Sequence, residues 1–300
     1  MDTATLEWNW HGETIRLGTT AAGAGPKVLM LPALSSISTR HEMRSLQERL
    51  AAEYATLCVD WPGFGDQARP RVDWTPEICS AFLGFLLTSV IPRPHAVIAA
   101  GHAATYALKH ADRAPTATTR LVLIAPTWRG PLPTMMGGQR PFFARLCRLV
   151  DLPLLGPLIY RANVNPFTVR RMAAGHVYSD AAFLRGERLR EKLDVIRAPG
   201  ARFASVRFVT GGLDPLASRD DFLDLGRRAD VPILLIHGAE TPPRSRAEME
   251  AFAALPGIRA VCLPRGKLSL HEEFPDAILD VVAPFLRAAL EPSGTDQLIR

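Results

Sequence analysis

The sequence predicts an α/β fold in which a mostly parallel sheet carries helices on both faces. Short, continuous apolar runs, such as those at 27–32 and 96–100, are typical of strands buried on both sides. Longer segments with helical apolar spacing separate these runs, and the two kinds of segment alternate along the chain. The 300 residues are enough for one large core, with or without an insertion.

Eight strands are expected in this sheet. Leu6–Thr20 predicts a hairpin of two strands, with its turn near His11 and Gly12. Thr75 precedes a helix that has Pro76 at its first position. The other strands are predicted at 27–32, 55–60, 96–100, 120–125, 231–237 and 258–263, and the other helices at 41–52, 103–111, 245–254 and 275–290, followed by a frayed tail at 291–300.

The alternation stops after the sixth strand. Residues 130–215 are rich in proline, arginine and phenylalanine and have helical pieces but no buried strand. The sequence therefore predicts a core made of 1–129 and 216–300, interrupted by a helical lid at 130–215. Within the lid, Phe142–Tyr160 has near-helical apolar spacing. We interpret it as a helix that covers an apolar pocket, the alternative being a helix at a membrane surface.

Charge is spread unevenly along the chain. The net charge is +5, yet residues 129–202 contain 13 basic and 5 acidic side chains, which leaves the remainder at −3. Such a basic segment suits an anionic ligand or a membrane surface, although a solvated basic face is the interpretation we favour. The sequence has no nucleic-acid-binding motif and no phosphate-binding glycine fingerprint, so neither nucleic acid nor a nucleotide cofactor is expected.

The sequence favours a cytoplasmic protein without a metal site. No apolar run approaches the roughly 20 residues that span a bilayer, and Met1–Ala4 does not resemble the start of a signal peptide. The four cysteines, Cys58, Cys79, Cys147 and Cys262, have neither C-x-x-C nor metal-ligand spacing. We expect them to be buried, reduced thiols.

Four motifs, in the order in which they occur, resemble the α/β-hydrolase superfamily. Val59–Asp66 resembles its D-x-P-G-x-G loop, and Ala99–Thr105 resembles its nucleophile elbow, G-x-S-x-G. Val231–Gly238 resembles the strand before the acidic member of the triad. Gly266–Pro275 resembles the segment that holds the catalytic histidine. The resemblance implies an α/β-hydrolase fold with an eight-stranded sheet and an inserted helical lid.

The same resemblance implies that the catalytic triad is degenerate. The nucleophile position falls on Ala103, whose methyl group cannot attack a carbonyl and which we expect at a turn with positive φ. The acid position falls on Thr241, with Glu240 one residue away. The histidine position falls on Leu268, with His271 three residues further on. A conventional serine hydrolase is therefore not expected.

Other features of the triad region leave alternatives open. The backbone N–H groups of Leu34 and Ala104 are the expected oxyanion-hole donors. Natural loss of the nucleophile is the favoured explanation of Ala103, against a laboratory substitution or a triad rebuilt from Ser35, Ser36 or His271. The segments Gly101–Thr105, Ala125–Trp128, Gly130–Pro133, His176–Tyr178, Gly212–Pro215 and Arg244–Met249 resemble a plant-plastid and bacterial group with alanine at the elbow, which supports a natural alanine and implies no substrate.

Four polar or aromatic residues are expected at the mouth between core and lid: Trp128, Arg129, His176 and Tyr178. Asp214 is interpreted as a helix N-cap. The expected function is binding of a small apolar or carbonyl-bearing molecule, or chemistry on it without a serine nucleophile and without a cofactor. The alternatives are an ester, amide or carbon–carbon-bond hydrolase inactivated at its nucleophile, and a non-enzymatic protein that binds a partner.

Overall fold

The computed structural model describes residues 1–288. The predicted tail, and the end of the predicted last helix, lie outside the described residues. The strands are β1 (Asp2–Trp10), β2 (Glu13–Ala22), β3 (Lys27–Leu31), β4 (Ala55–Val59), β5 (Ala96–Ala100), β6 (Leu121–Ile124), β7 (Ile233–Gly238) and β8 (Ile258–Leu263). The α-helices are α1 (Arg44–Leu50), α2 (Pro76–Phe85), α3 (Ala103–Arg113), α4 (Pro131–Met136), α5 (Phe142–Asp151), α6 (Leu155–Asn163), α7 (Pro166–His176), α8 (Gly186–Arg197), α9 (Ala201–Val209), α10 (Arg219–Arg228), α11 (Pro243–Ala253), α12 (Leu270–Glu273) and α13 (Pro275–Arg287).

The eight strands form one sheet in the order β1-β2-β4-β3-β5-β6-β7-β8. The predicted hairpin is confirmed: β1 and β2 are antiparallel, and His11 and Gly12 at the turn have φ of 48° and 86°. Strands β3 to β8 pair in parallel, as their continuous apolar character predicts. The predicted fold class is therefore confirmed, and the carboxyl ends of six parallel strands meet at one edge.

Successive residues of each buried strand point to opposite faces of the sheet and belong to two separate cores. Leu29, Val97 and Ala99 pack in the core beneath α2 and α3. Met30 and Ile98 pack in the core beneath α1 and α13. This arrangement buries both faces of the strands and fixes where each strand ends relative to the helix that follows it.

The chain between β6 and β7 holds six consecutive helices, α4 to α9, before α10 returns to the sheet. We call residues 130–215 the insertion. Part of it has a small apolar core of its own, which includes Val169, Tyr178 and Ile196. No helix among residues 1–288 is long and apolar enough to cross a membrane.

Candidate functional site

The turn that follows β5 differs from its predicted geometry. The left-handed residue is Gly101, with φ of 54°, and His102 after it has helical φ and ψ of −69° and −25°. Ala103 is the first residue of α3, so its predicted positive φ is wrong. The physical reason is that β5 ends at Ala100, which leaves glycine, the residue that adopts this conformation without strain, at the bend.

This turn places Gly101, rather than Ala103, where an elbow presents its side chain. Ala103 is fully buried in the core and does not line the cavity described below. A Cβ atom at Gly101 would lie 3.2 Å from the Cβ of Ala33, in the loop after β3. The strand-to-helix turn is therefore intact, but it presents no side chain at all to the sheet edge.

The expected oxyanion donors are only partly in place. Leu34 lines the cavity, whereas the Ala104 N–H donates back to the Gly101 carbonyl at 3.3 Å. The Ala33 N–H is also occupied, because it donates to Glu42 Oε1 at 2.5 Å. Among the described residues, no backbone carbonyl accepts the N–H of His102, which directly follows the bend. His102, not Ala104, is thus the available donor.

The other two triad positions contain no acid–base pair. Thr241 is buried and its hydroxyl has no hydrogen-bond partner within residues 1–288, while Glu240 is exposed and accepts from the Gly266 N–H at 3.3 Å. A hydrogen bond from the Ser179 hydroxyl, together with that backbone bond, holds the pKa of Glu240 below its ordinary value. Leu268 lines the cavity, and His271 is fully buried away from it.

A cavity of about 610 Å³ lies over the turn. Residues that follow five of the parallel strands contribute to it, so it sits at the carboxyl edge of the sheet, where open α/β sheets bind ligands. The insertion supplies the opposite wall through α7, α8 and α9. Its lining includes Ala33, Gly101, Thr127, Pro242 and Leu268 from the core, and Val169, Ala173, Ile196 and Phe208 from the insertion.

Two of the four expected mouth residues line this cavity, namely Arg129 and His176. Trp128 is buried in the core, with the Arg129 guanidinium 4.7 Å from its ring centre. Tyr178 is also buried, and its hydroxyl donates to Glu272 Oε2 at 2.7 Å. Trp128 and Tyr178 therefore support the walls of the cavity without lining it.

A comparison of the sequence with known families agrees with these geometric features. They are the parallel sheet, the strand-to-helix turn and the cavity between sheet and insertion. A family model described as "Alpha/beta hydrolase family" matches residues 28–281. The chain belongs to the alpha/beta hydrolase family. The match spans most of the chain, including the insertion.

Solved alpha/beta hydrolases with similar structures share little sequence with this chain. The epoxide hydrolase CorEH has a TM-score of 0.73 and 15% identity, over 97% of this chain and 100% of that one. A thermophilic esterase from Thermogutta terrifontis has a TM-score of 0.70 and 17% identity, over 96% and 99%. The enol-lactonase from Burkholderia xenovorans LB400 has a TM-score of 0.68 and 18% identity, over 91% and 97%. A search of curated proteins finds no match.

One histidine of the cavity has a carboxylate neighbour that the sequence did not indicate. His102 Nε2 lies 3.3 Å from both the Leu213 carbonyl and Asp214 Oδ1, and its Nδ1 has no partner in the described chain. Asp214 also accepts the Gly130 N–H at 2.8 Å. Its predicted role as a helix N-cap is wrong, because Ser218 caps α10. Asp214 instead joins the insertion to the turn after β5.

A second polar cluster, buried beside the cavity, joins the insertion to the core. Lys192 of α8 lies 3.1 Å from Glu272 Oε2 and 3.7 Å from Glu42 Oε2. His271 Nε2 lies 3.4 Å from Glu42 Oε1. We call Glu42, Tyr178, Lys192, His271 and Glu272 the ionic cluster. It accounts for His271, which packs against Glu42 rather than facing the cavity.

Electrostatics favour the charged forms of Glu42 and Lys192 in spite of their burial. Burial opposes the charge of Glu42, but His271, Lys192 and the Ala33 N–H outweigh it and hold the pKa of Glu42 below its ordinary value. Burial likewise opposes the charge of Lys192, yet Glu272 and Glu42 raise the pKa of Lys192 well above its ordinary value. Within residues 1–288, no group of three or more histidine, cysteine or acidic side chains is arranged to hold a metal ion.

Proposed function

We propose that this alpha/beta hydrolase binds a small molecule with an apolar body and a carbonyl or carboxylate head, and that it does not act through a nucleophilic side chain. The observation that carries the proposal is the glycine at the bend, which opens directly beneath the cavity. Acyl transfer on this fold requires an attacking group at that place, and Gly101 supplies none. What remains is a preformed space for a ligand.

The apolar body of the ligand is inferred from the walls. Val169, Ala173, Ile196, Phe208 and Leu268 present hydrocarbon surface to the cavity. A volume of about 610 Å³ lies within the range of roughly 300–1,000 Å³ that small-molecule sites occupy. Burial of an apolar ligand here would be favourable by roughly 25 cal/mol for each Å² removed from water.

The head of the ligand is inferred from the charges at the rim. Arg129 and Arg244 line the cavity, and no aspartate or glutamate does so among the described residues. Thr134 connects the two, because its hydroxyl donates to the Arg129 carbonyl at 3.2 Å and its own carbonyl accepts from Arg244 at 2.9 Å. Arg129 and Arg244 therefore belong to one connected part of the lining, and guanidinium groups favour carbonyl and carboxylate oxygens.

Helix ends add to the same positive potential. The first residues of α11, Pro243 and Arg244, and the residues that lead into α3, Gly101 and His102, all line the cavity. The amino end of a helix carries partial positive charge and unpaired N–H groups, which favour an acceptor or an anion. Together these groups support a head that accepts hydrogen bonds.

We further propose a subgroup within the family and a cellular location for this protein. We infer membership of the plant-plastid and bacterial group with alanine at the elbow on the strength of the Gly101–Thr105 segment and its companion motifs. In this protein Gly101, two residues before Ala103, occupies the bend. We also infer that the protein acts in the cytoplasm.

The head can be tested with ligands of equal chain length. Decanoate is expected to bind at least about tenfold more tightly than decanol, because an ion pair with a guanidinium adds roughly 1.5–3 kcal/mol. Isothermal titration calorimetry on the full chain measures both. The variant Arg129→Gln should remove most of the difference, whereas Arg185→Gln, an exposed arginine of the insertion outside the cavity, should leave it unchanged. Equal binding of decanol and decanoate would reject the charged head.

The site itself can be tested by filling it. Ala173 is 1% exposed and lines the cavity, so Ala173→Trp should abolish decanoate binding. Met172→Trp, at the half-exposed rim, provides a second variant that disturbs the core less. Ala182→Trp, exposed on the insertion, is the matched control. Undiminished binding to folded Ala173→Trp and Met172→Trp would place the ligand elsewhere.

A further inference from the structure

Exposed apolar side chains are concentrated on one part of the insertion. Among residues 1–288, eleven large apolar side chains are exposed, and all of them except Met1 lie between residues 135 and 172. Monomeric soluble proteins rarely leave large apolar patches in contact with water, and those that do usually bind something there. The ten are Met135, Met136, Phe142, Leu149, Leu152, Leu154, Leu155, Leu158, Phe167 and Met172. We call this surface the 135–172 face.

The side chains at the helix ends project furthest. Leu154, just before α6, is 86% exposed, and Phe167, in the first turn of α7, is 74% exposed. Leu158 of α6 is 65% exposed. These three side chains, which we call the apolar tips, lie on the outside of the helices. The helices themselves are packed, since α5 and α6 contact each other and both contact α9. Their exposure does not result from missing packing inside the insertion.

Positive charge is concentrated in the same segment as the apolar tips. Between residues 135 and 172 the sequence has six arginines and one acidic residue, Asp151, so this segment carries the entire net charge of the chain, +5. Asp151 is paired with Arg207, outside the segment, at 2.9 Å. The arginines are all exposed, and none of them pairs with a carboxylate of the described residues: Arg140, Arg145, Arg148, Arg161, Arg170 and Arg171.

We propose that the 135–172 face docks on the surface of a membrane that contains anionic lipids. Leucine and phenylalanine tips that enter the acyl boundary, with arginines at the level of the phosphates, are the combination that holds amphipathic helices at such an interface. Each arginine near an anionic bilayer adds attraction, and these attractions accumulate. A protein partner is less favoured, because all the exposed charged side chains of the face are arginines.

The position of the cavity fits this docking. Met135 and Met172 belong to the 135–172 face and also line the cavity. A protein seated on this face would therefore bring one rim of the cavity against the acyl chains. An apolar ligand dissolved in the bilayer would have a route into the cavity that avoids water.

Vesicle binding tests the proposal directly. The full chain is mixed with vesicles of phosphatidylcholine alone, or of phosphatidylcholine and phosphatidylglycerol, and the bound fraction is measured by flotation. Binding is expected only with phosphatidylglycerol, and it should weaken as salt is added. The variant Arg145→Gln/Arg148→Gln/Arg170→Gln should bind on the order of a hundredfold more weakly. The control Arg113→Gln/Arg259→Gln removes two exposed arginines of the core and should bind as the unmodified chain does.

A second variant separates the apolar contribution from the charge. Leu154→Ser/Phe167→Ser should lose vesicle binding while keeping its fold and its affinity for decanoate, because neither side chain lines the cavity. No binding of the unmodified chain to anionic vesicles would overturn the proposal. So would a stable dimer in solution that Leu154→Ser/Phe167→Ser converts to a monomer, since the face would then be covered by a second copy.

Discussion

Replacement of Lys192 by methionine is expected to lower the free energy of unfolding by about 3–5 kcal/mol. Lys192 is 5% exposed and is the cation that neutralises Glu42 and Glu272 in the ionic cluster. Its removal leaves the carboxylates of Glu42 and Glu272 without this cation, and uncompensated buried charge is among the largest single costs in a protein. Urea unfolding followed by circular dichroism measures the change.

The control for this variant is Arg190→Met on the same helix. Arg190 is exposed, so its replacement should change the stability by less than about 0.5 kcal/mol. The double variant Lys192→Met/Glu272→Gln should recover part of the loss, because it removes one of the two stranded carboxylates. If Lys192→Met proves as stable as Arg190→Met, the cluster is not charged in the folded protein.

The pH dependence of this loss follows from the two pKa shifts. The folded pKa of Glu42 lies below its ordinary 4.5, so the stability it contributes is present above that value and is lost as the pH falls. The folded pKa of Lys192 lies above its ordinary 10.5, so its contribution is complete below that value and is lost as the pH rises further. The deficit of Lys192→Met should therefore be nearly constant at neutral pH and should shrink in acid, where Glu42 becomes protonated.

Restoring only the nucleophile is expected to restore no hydrolysis. Gly101→Ser places a hydroxyl at the bend, but the nearest triad positions are Thr241 and Leu268, which offer neither a base nor a carboxylate. Without a base the hydroxyl stays protonated and attacks poorly, and removal of one triad member typically costs as much as removal of all, on the order of a million-fold. With p-nitrophenyl butyrate, the unmodified chain, Ala103→Ser and Gly101→Ser should all show no burst.

The triple variant Gly101→Ser/Thr241→Asp/Leu268→His is the informative comparison. Leu268 and Gly101 both line the cavity, so a histidine at 268 would border the same cavity as the new hydroxyl. General-base catalysis is typically worth a hundredfold or more. We expect the triple variant to exceed Gly101→Ser by on the order of a hundredfold. An active Gly101→Ser single variant would mean that His102 with Asp214 already serves as a base. Enzyme-like hydrolysis by the unmodified chain, lost on changing Ser35, Ser36 or His271, would contradict the proposed function.

The sheet was predictable because its signals are local. Continuous apolar runs such as 96–100 leave little alternative to a buried parallel strand, and the Pro76 helix start depends on neighbouring residues alone. The sequence pattern places the elbow two residues too far along the chain, because it aligns Gly101 with the first glycine of G-x-S-x-G and Ala103 with the serine. The end of strand β5, and not the sequence motif, determines which residue adopts the left-handed conformation of the turn. A glycine directly after an apolar run was the signal that could have located it.

The rest of the site depends on contacts between residues far apart in the chain. Nothing near Lys192 in the sequence marks it as buried, since its neighbours on α8 are mostly charged and exposed. Its partners, Glu42 and Glu272, come from the opposite ends of the chain. Likewise, Asp214 meets His102 only because the insertion returns past the turn after β5. The local sequence pattern around each of these residues does not predict such long-range ion pairs.

The bond between Glu42 and the Ala33 N–H ties one side of the cavity to the core. Through Glu42 and Lys192, the loop after β3 and helix α8 share a single electrostatic anchor, so α8 cannot leave the core without separating buried charges. Among the described residues, no ion pair joins the opposite rim, at Met135 and Met172, to the core, and Arg244 binds the end of α4 through backbone carbonyls. We therefore expect the insertion to separate from the core more readily at the rim with the exposed methionines than at α8.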